Sequence, residues 1–224
     1  MERSSRLSRS VVVHEPVAGL CALVMAAGQG SRYRAQLDVD KLLAPWLAES
    51  DSPPVLLATL IALQGVAERL VVVASKDNPA LLDWLDCHAR ELNIELCLVQ
   101  TRGLGHSLSQ AVERYPASRG WLVALGDMPY VRPESVVRIA GAMTEDNLVV
   151  PVFRGQRGHP RGIGSRHYAS LRALDGDSGA QGLFSGPVLE LELADPGVLQ
   201  DIDRPQDRLP QGGLSSLIHQ CSIP

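Results

Sequence analysis

The chain alternates short apolar runs with longer segments of helical periodicity, and this alternation is its strongest constraint on fold. The apolar runs lie at residues 20–26, 69–74, 94–99, 121–125 and 148–153, and helices are predicted at 55–64, 79–92, 106–115 and 133–143. Several runs are apolar on both faces, as in parallel strands covered by helices on each side. The pattern predicts an α/β fold with a Rossmann-like, doubly wound, mostly parallel sheet. Ligands in such sheets bind beyond the carboxyl ends of the strands.

The length and composition favour one folded domain. The chain has 224 residues and is 45% hydrophobic, which suffices for a full core. We expect the domain to span residues 19–209, with a mobile tail at 1–18 and a peripheral tail at 210–224. Beyond residue 153 the regularity fades into a short helix near 168–174 and an apolar–acidic alternation at 188–193.

Charge and cysteine usage exclude several classes of protein. A net charge of -4 argues against a nucleic-acid-binding protein. No apolar run approaches the roughly 20 residues that span a bilayer, and His14, Glu15 and Pro16 interrupt the signal-like N-terminus. The four cysteines form no CxxC pair, which is typical of reduced thiols. We therefore expect a cytoplasmic protein without membrane or nucleic-acid partners.

The first apolar run ends in a glycine-containing loop suited to phosphate. Gly28 and Gly30 permit tight turns, and the backbone amides of such a turn can face an anion. Arg32 and Lys41 would add positive charge. The loop has neither GxGxxG spacing nor the GK[ST] of a P-loop, so it indicates a nucleotide site of another lineage. The alternative is an ordinary turn with solvated basic residues.

Carboxylates follow at two other places. Asp127 comes directly after the fourth apolar run, and we predict it to be a ligand for Mg²⁺, which binds through one or two carboxylates plus substrate phosphates. Asp201 and Asp203 are two residues apart in an extended segment and would share a face. Asp203 is the candidate second metal ligand. The alternatives are a turn cap at Asp127 and solvated or capping carboxylates at 201–207.

A basic segment at 155–162, GQRGHPRG, contains Arg157, His159 and Arg161. These side chains would clasp an anionic second substrate, and His159 is also a candidate general base. Attack by an already ionised phosphate oxygen would need no base. The alternative is a basic surface loop.

Taken together, these motifs resemble the MobA-like nucleotidyltransferase superfamily, and most closely its molybdenum cofactor cytidylyltransferases. The matching stretches are AAGQGSR at 26–32, LGDMP at 125–129, RGQRGHPRG at 154–162, LDGDSGAQGL at 174–183 and DIDRPQD at 201–207. The resemblance implies a Mg²⁺-dependent reaction. CMP passes from CTP to the terminal phosphate of molybdenum-loaded molybdopterin, and pyrophosphate is released.

The resemblance also implies roles for individual residues. The backbone of Ala26, Ala27, Gly28 and Gly30 would hold the triphosphate together with Arg32 and Lys41, and Asp127 would coordinate Mg²⁺. The stretch QTRGLGHSL at 100–108 resembles the base pocket of the wider sugar-phosphate nucleotidyltransferases. This second resemblance implies that Gln100 and Gly105 lie against the pyrimidine. Ser107, in the same stretch, is a further candidate nucleotide-binding residue. The candidate acceptor-binding residues are Arg157 and His159 of the basic segment. The guanylyltransferase branch usually has Gly where this chain has Ala27, so Ala27 favours CTP.

The chain departs from the family pattern in two stretches. In one, WLAESDSPPVLL at 46–57 replaces the usual compact turn after the LLAP motif, so acceptor contacts there do not carry over. The other is the first loop. The family closes its first loop within a few residues, whereas here Tyr33 is followed by RAQLDVD before Lys41. Three other functions stay open. One is a GTP- or UTP-dependent nucleotidyltransferase with another phosphorylated acceptor. The second is a non-catalytic carrier that hands the cofactor to a molybdoenzyme or an insertion chaperone. The third, a reductase, is disfavoured because no GxGxxG occurs with a following ribose-binding acid.

Overall fold

A single mixed sheet organises the molecule. The computed structural model describes residues 15–48 and 51–210. The strands are β1 Val17–Ala26, β2 Ala67–Ser75, β3 Glu95–Val99, β4 Gly120–Leu125, β5 Leu148–Phe153, β6 Gln156–Arg157, β7 Arg161–Gly164 and β8 Leu189–Glu192. Their order is β3-β2-β1-β4-β7-β5-β6, with β8 paired to β5. Strands β1 to β4 are mutually parallel where they pair. The five predicted strands are confirmed as β1 to β5.

Helices cover both faces of this sheet. They are α1 Ser31–Arg34, α2 Val55–Leu63, α3 Pro79–His88, α4 Leu104–Arg114, α5 Pro133–Gly141 and α6 Tyr168–Arg172. Alternate residues of β1 point to opposite faces. Leu20, Ala22 and Val24 therefore pack with α2, α3 and α5, and Cys21 and Leu23 pack with α4 and α6. The predicted α/β fold with helices on both faces is confirmed.

The sequence pattern missed two antiparallel strands. β7 runs antiparallel between β4 and β5, and β6 forms a short antiparallel hairpin with the end of β5. β7 overlaps the end of the basic segment, and its sequence is typical of a loop because it contains Gly162 and Gly164. Both glycines are required by close packing: a Cβ on Gly162 would lie 2.7 Å from Met143, and one on Gly164 would lie 2.4 Å from the Glu145 carbonyl oxygen. The basic segment is thus built into the sheet.

The expected tails fall largely outside the described residues. Residues 1–14 and 211–224 are not described, and the domain limits stay a prediction. The first strand begins at Val17, so the sheet includes the last two residues assigned to the N-terminal tail. In the residues that the structure describes, no helix is long and apolar enough to cross a membrane.

Candidate active site

The loop after β1 presents backbone rather than side chains. Gly28 is exposed and has open space around the position of a Cβ. Gly30 precedes α1 in the left-handed region, at φ 58° and ψ 32°, where an L side chain is strained. Ala26 and Ala27 are buried at 2% and 6% exposure, so their methyl groups belong to the core. The loop can therefore offer amide groups to an anion, as its sequence predicts.

Four predicted side chains meet in one ionic cluster. Lys41 Nζ lies 2.6 Å from Asp127 Oδ2 and 3.8 Å from Asp203 Oδ1. Arg32 Nη1 lies 2.7 Å from the other oxygen of Asp203, Oδ2. The Lys41 and Asp127 side chains are 11% and 20% exposed, whereas Arg32 is 70% exposed. The cluster has a shielded centre and a basic side chain at its open rim.

Backbone hydrogen bonds hold the two carboxylate segments together. After β4 the chain turns at Gly126, whose amide donates to the Met25 carbonyl at 2.9 Å and whose carbonyl accepts from the Thr59 hydroxyl at 3.1 Å. The amide of fully buried Ile202 donates to the Asp127 carbonyl at 2.9 Å. This bond explains how residues far apart in sequence converge beside Asp127.

The carboxylates of the cluster differ in their electrostatics. The hydrogen bond from Arg32 is the main cause that lowers the pKa of Asp203. Burial raises the pKa of Asp201, with a smaller contribution from the charge of Asp127. The charge of Lys41 lowers the pKa of both aspartates. Repulsion among these carboxylates is therefore offset by Lys41 and Arg32.

The donor set fits a divalent cation completed by a substrate. Asp127 Oδ1 is buried without a hydrogen-bond partner, and its Oδ2 is bonded to an ammonium group. Among residues 15–48 and 51–210, no group of three or more His, Cys, Asp or Glu side chains is arranged to hold a metal. Two carboxylates with phosphate and water ligands are the usual environment of Mg²⁺. Asp127 and Asp203 could supply that pair.

Asp40 orders the long loop before Lys41, and the sequence interpretation overlooked it. Its carboxylate accepts from Arg34 at 2.9 Å, from Asn78 Nδ2 at 2.6 Å and from the amide of Leu42 at 2.8 Å. The bond to an amide two residues on is an Asx turn, for which Asp is a typical residue. That turn places Lys41 toward Asp127.

The predicted base loop, residues 100–108, is held together by hydrogen bonds between its own residues. Ser107 is 1% exposed, and its hydroxyl donates to Thr101 Oγ1 at 2.6 Å and lies 3.0 Å from the Gly103 carbonyl. In this conformation the Ser107 hydroxyl shapes the loop, and its contact with a nucleotide stays a prediction. The amide of Gly105 donates to the Gly176 carbonyl at 2.8 Å, while the Gln100 residue is exposed. Gln100 is thus the accessible polar side chain of the predicted trio.

The predicted acceptor residues contact groups outside the ionic cluster. Exposed Arg157 is paired with Glu190 at 2.7 Å and donates to the Phe184 carbonyl at 2.8 Å. The His159 ring is partly buried and its Nδ1 has no hydrogen-bond partner. Burial, aided by the charge of Arg161, lowers the pKa of His159 to about 4. His159 is therefore neutral near pH 7.

Comparison with known proteins identifies relatives of this chain. It is 31% identical over 144 residues to the bifunctional protein GlmU of Xanthomonas axonopodis pv. citri; the match covers 63% of this chain and 30% of that protein. The chain thus spans under a third of the length of that curated relative. The crystal structure of Rv0371c from Mycobacterium tuberculosis H37Rv superposes with a TM-score of 0.69 at 25% identity, covering 85% of this chain and 96% of the other.

Two further structures bear on the site. A second structure of Rv0371c is a complex with manganese, with a TM-score of 0.61 at 25% identity and coverage of 84% and 95%. A nucleotidyl transferase from Methanothermobacter thermautotrophicus gives a TM-score of 0.69 at 25% identity, covering 89% of this chain and 96% of the other. Residues 22–196, most of the chain, match a family of nucleotide-transferring domains. The chain belongs to the MobA-like NTP transferase domain family.

Proposed function

We propose that the protein is a metal-dependent cytidylyltransferase that transfers CMP from CTP to the terminal phosphate of molybdenum-loaded molybdopterin. The convergence of Arg32, Lys41, Asp127 and Asp203 beside the glycine loop is the observation that carries the proposal. Family membership supports nucleotidyl transfer, and the manganese complex of a relative supports a divalent metal. Free cysteines at 21, 87 and 97 fit a reducing cytoplasm.

In the proposed reaction, an oxygen of the acceptor phosphate attacks the α-phosphorus of CTP. A new P–O bond forms, the bond to the β-phosphate bridge breaks, and pyrophosphate leaves with that electron pair. Mg²⁺ held by Asp127 and Asp203 would neutralise charge on the triphosphate. Lys41 and Arg32 would leave their carboxylate partners for phosphate oxygens and stabilise the charge on the leaving pyrophosphate. Alignment and charge stabilisation would supply the rate enhancement, because an ionised phosphate needs no general base.

The remaining assignments follow the same proposal. The amides of the loop at 26–30 would bind the triphosphate, and Gln100 would pair with the pyrimidine, since an amide side chain donates and accepts together. Gly105 would permit close approach of the base loop. Arg157 and His159 are proposed to lie near the acceptor.

The first test is thermal unfolding with CTP, GTP, UTP or ATP, each with and without Mg²⁺. A ligand that binds the folded state raises the midpoint by mass action. We expect the largest shift with CTP and Mg²⁺. A larger increase in midpoint with GTP or UTP would show that cytosine is the wrong base. The absence of any increase would favour a non-catalytic carrier.

The second test measures pyrophosphate release with molybdenum-loaded molybdopterin. Asp127→Asn should reduce turnover at least a hundredfold, because it removes a charge that faces the metal and the triphosphate. Asp86→Asn, on the exposed face of α3, is the matched control and should retain turnover. Near-normal turnover of Asp127→Asn would contradict the metal assignment.

A further inference from the structure

A cavity of about 160 Å³ lies on the α4 face of the sheet, and His159 and Arg161 of the basic segment line it. Its apolar wall includes Leu108, Leu125 and Phe184, and two charged side chains, Arg161 and Asp177, line it. It therefore combines an apolar surface with two polar anchoring points, as small-molecule sites do.

The cavity adjoins both halves of the candidate active site. Leu125 in its wall is separated from Asp127 by Gly126 alone. On another side, Asp177 directly follows Gly176, which accepts the hydrogen bond from Gly105 in the predicted base loop. A molecule in the cavity would thus lie next to the cluster that we propose to hold the nucleotide.

Arg161 is the unusual residue of this cavity. Its guanidinium Cζ lies 4.8 Å from the centre of the Phe184 ring, and its Nε donates to the Gly158 carbonyl at 3.2 Å. Within the described part of the chain it forms no ion pair, whereas nearby Arg157 is paired with Glu190. A half-buried cation without a counter-ion is costly to the fold, so an anionic ligand would gain from binding there.

The strand register separates Arg161 from the reacting centre. Arg161 of β7 lies opposite Val123 of β4, so both side chains are on the same face. Asp127 is four residues beyond Val123, past the end of β4 and the turn at Gly126, so the two positions are at most roughly 13 Å apart. One acceptor molecule could therefore place a phosphate beside Asp127 and a second anionic group at Arg161.

We propose that Arg161 binds a second anionic group of the acceptor and so selects phosphate monoesters that carry another anion at their far end. The middle of the acceptor would pack on Phe184 and Leu108, and an N–H or O–H group would donate to Asp177. The inference rests on the proposed function, because it takes the cavity to be the acceptor site. Arg161 would determine which acceptors bind, whereas the charge of Arg157 is already neutralised by Glu190.

The test uses two probes, phenyl phosphate and 4-carboxyphenyl phosphate, titrated calorimetrically into the protein with Mg²⁺ and CTP. The wild-type protein should bind the carboxylated probe about tenfold more tightly, as expected for a charge-assisted hydrogen bond. Arg161→Gln should abolish this preference, and Arg161→Lys should retain part of it. The control is Arg166→Gln, which removes an arginine that is 71% exposed and paired with Asp146.

Equal or undetectable binding of the two probes by the wild-type protein would overturn the inference, as would a preference that survives Arg161→Gln. The CTP-induced thermal shift, recorded on the same proteins, separates this failure from that of the proposed function. If the shift is present and the probe preference absent, only the role of Arg161 is wrong. If the preference is present and no nucleotide gives a shift, the anion site stands and nucleotidyl transfer is wrong.

Discussion

Lys41→Met should destabilise the ligand-free protein and make its stability respond to divalent cations. In the folded chain Lys41 neutralises Asp127 at 2.6 Å and lies 3.8 Å from Asp203. Methionine keeps most of the side-chain volume and removes the charge. The carboxylates at 127, 201 and 203 would then repel one another with Arg32 and Arg204 as neighbouring cations.

The size of the effect follows from burial. Removing one partner of a fully buried pair costs about 3–5 kcal/mol, and breaking an exposed pair costs about 0–1 kcal/mol. With side chains 11% and 20% exposed, the Lys41–Asp127 pair lies between these limits, so we expect a loss of about 2 kcal/mol. In a domain of this size that corresponds to a fall in Tm of roughly 4–8 °C.

The assay is thermal unfolding of wild type and variant in chelator and in millimolar Mg²⁺ or Mn²⁺, without nucleotide. A cation that binds the freed carboxylates should restore several degrees to Lys41→Met, and the wild type should respond less because Lys41 occupies Asp127 Oδ2. The control is Lys76→Met, which changes the chain's other lysine, at an exposed position. Equal Tm values in chelator, or equal responses to the metal, would refute this reasoning.

Two further changes test the neighbouring elements. His159 has a pKa of about 4 when folded and near 6.5 when unfolded, so the unfolded state takes up the proton first and stability falls as the pH drops through this window. Urea unfolding at pH 7 and pH 5 should therefore show a loss about 2 kcal/mol larger in wild type than in His159→Gln; equal losses would mean that the ring is not desolvated. Gly105→Ala places a Cβ 3.1 Å from the carbonyl oxygens of Asp175 and Gly176, so it should cost about 1 kcal/mol and reduce the CTP-induced thermal shift. Gly141→Ala, which has open space around its Cβ, should do neither, and matching behaviour of the two variants would contradict the close-packing argument.

The parallel half of the fold is readable from sequence because its signals are local. Each of the strands β1 to β5 is a continuous apolar run, and α3 and α5 begin at prolines suited to a first turn. Strand β7 cannot be predicted from the sequence, because Gly162 and Gly164 lower its strand propensity. The reason for these glycines is their close packing against residues 143–145, which are distant in sequence. Its pairing with β4 is a tertiary property.

The candidate site likewise has residues that the sequence identifies and contacts that it does not. Residues that follow apolar strands, such as Gly28 and Asp127, can be identified by position, because parallel strands bring their carboxyl ends to one edge. The contact of Lys41 with Asp127 joins residues 86 positions apart and depends on the Asx turn at Asp40. The inward hydrogen bonds of the Ser107 hydroxyl, and the lack of an ion pair at Arg161 among the described residues, likewise depend on the packing around these side chains. Residue spacing does not report that packing.

The ionic cluster also indicates how the proposed metal site would be kept stable without a cation. Several carboxylates held close together repel one another, and the cost rises when they are shielded from water. Lys41 and Arg32 offset that repulsion in the folded chain, and both are attached to the loop that we propose to bind phosphate. A metal–triphosphate complex would supply a cation to the carboxylates and anions to the two basic side chains at the same moment. Binding would thus exchange partners within the cluster without leaving any charge unpaired, so metal and nucleotide should bind more tightly together than either does alone.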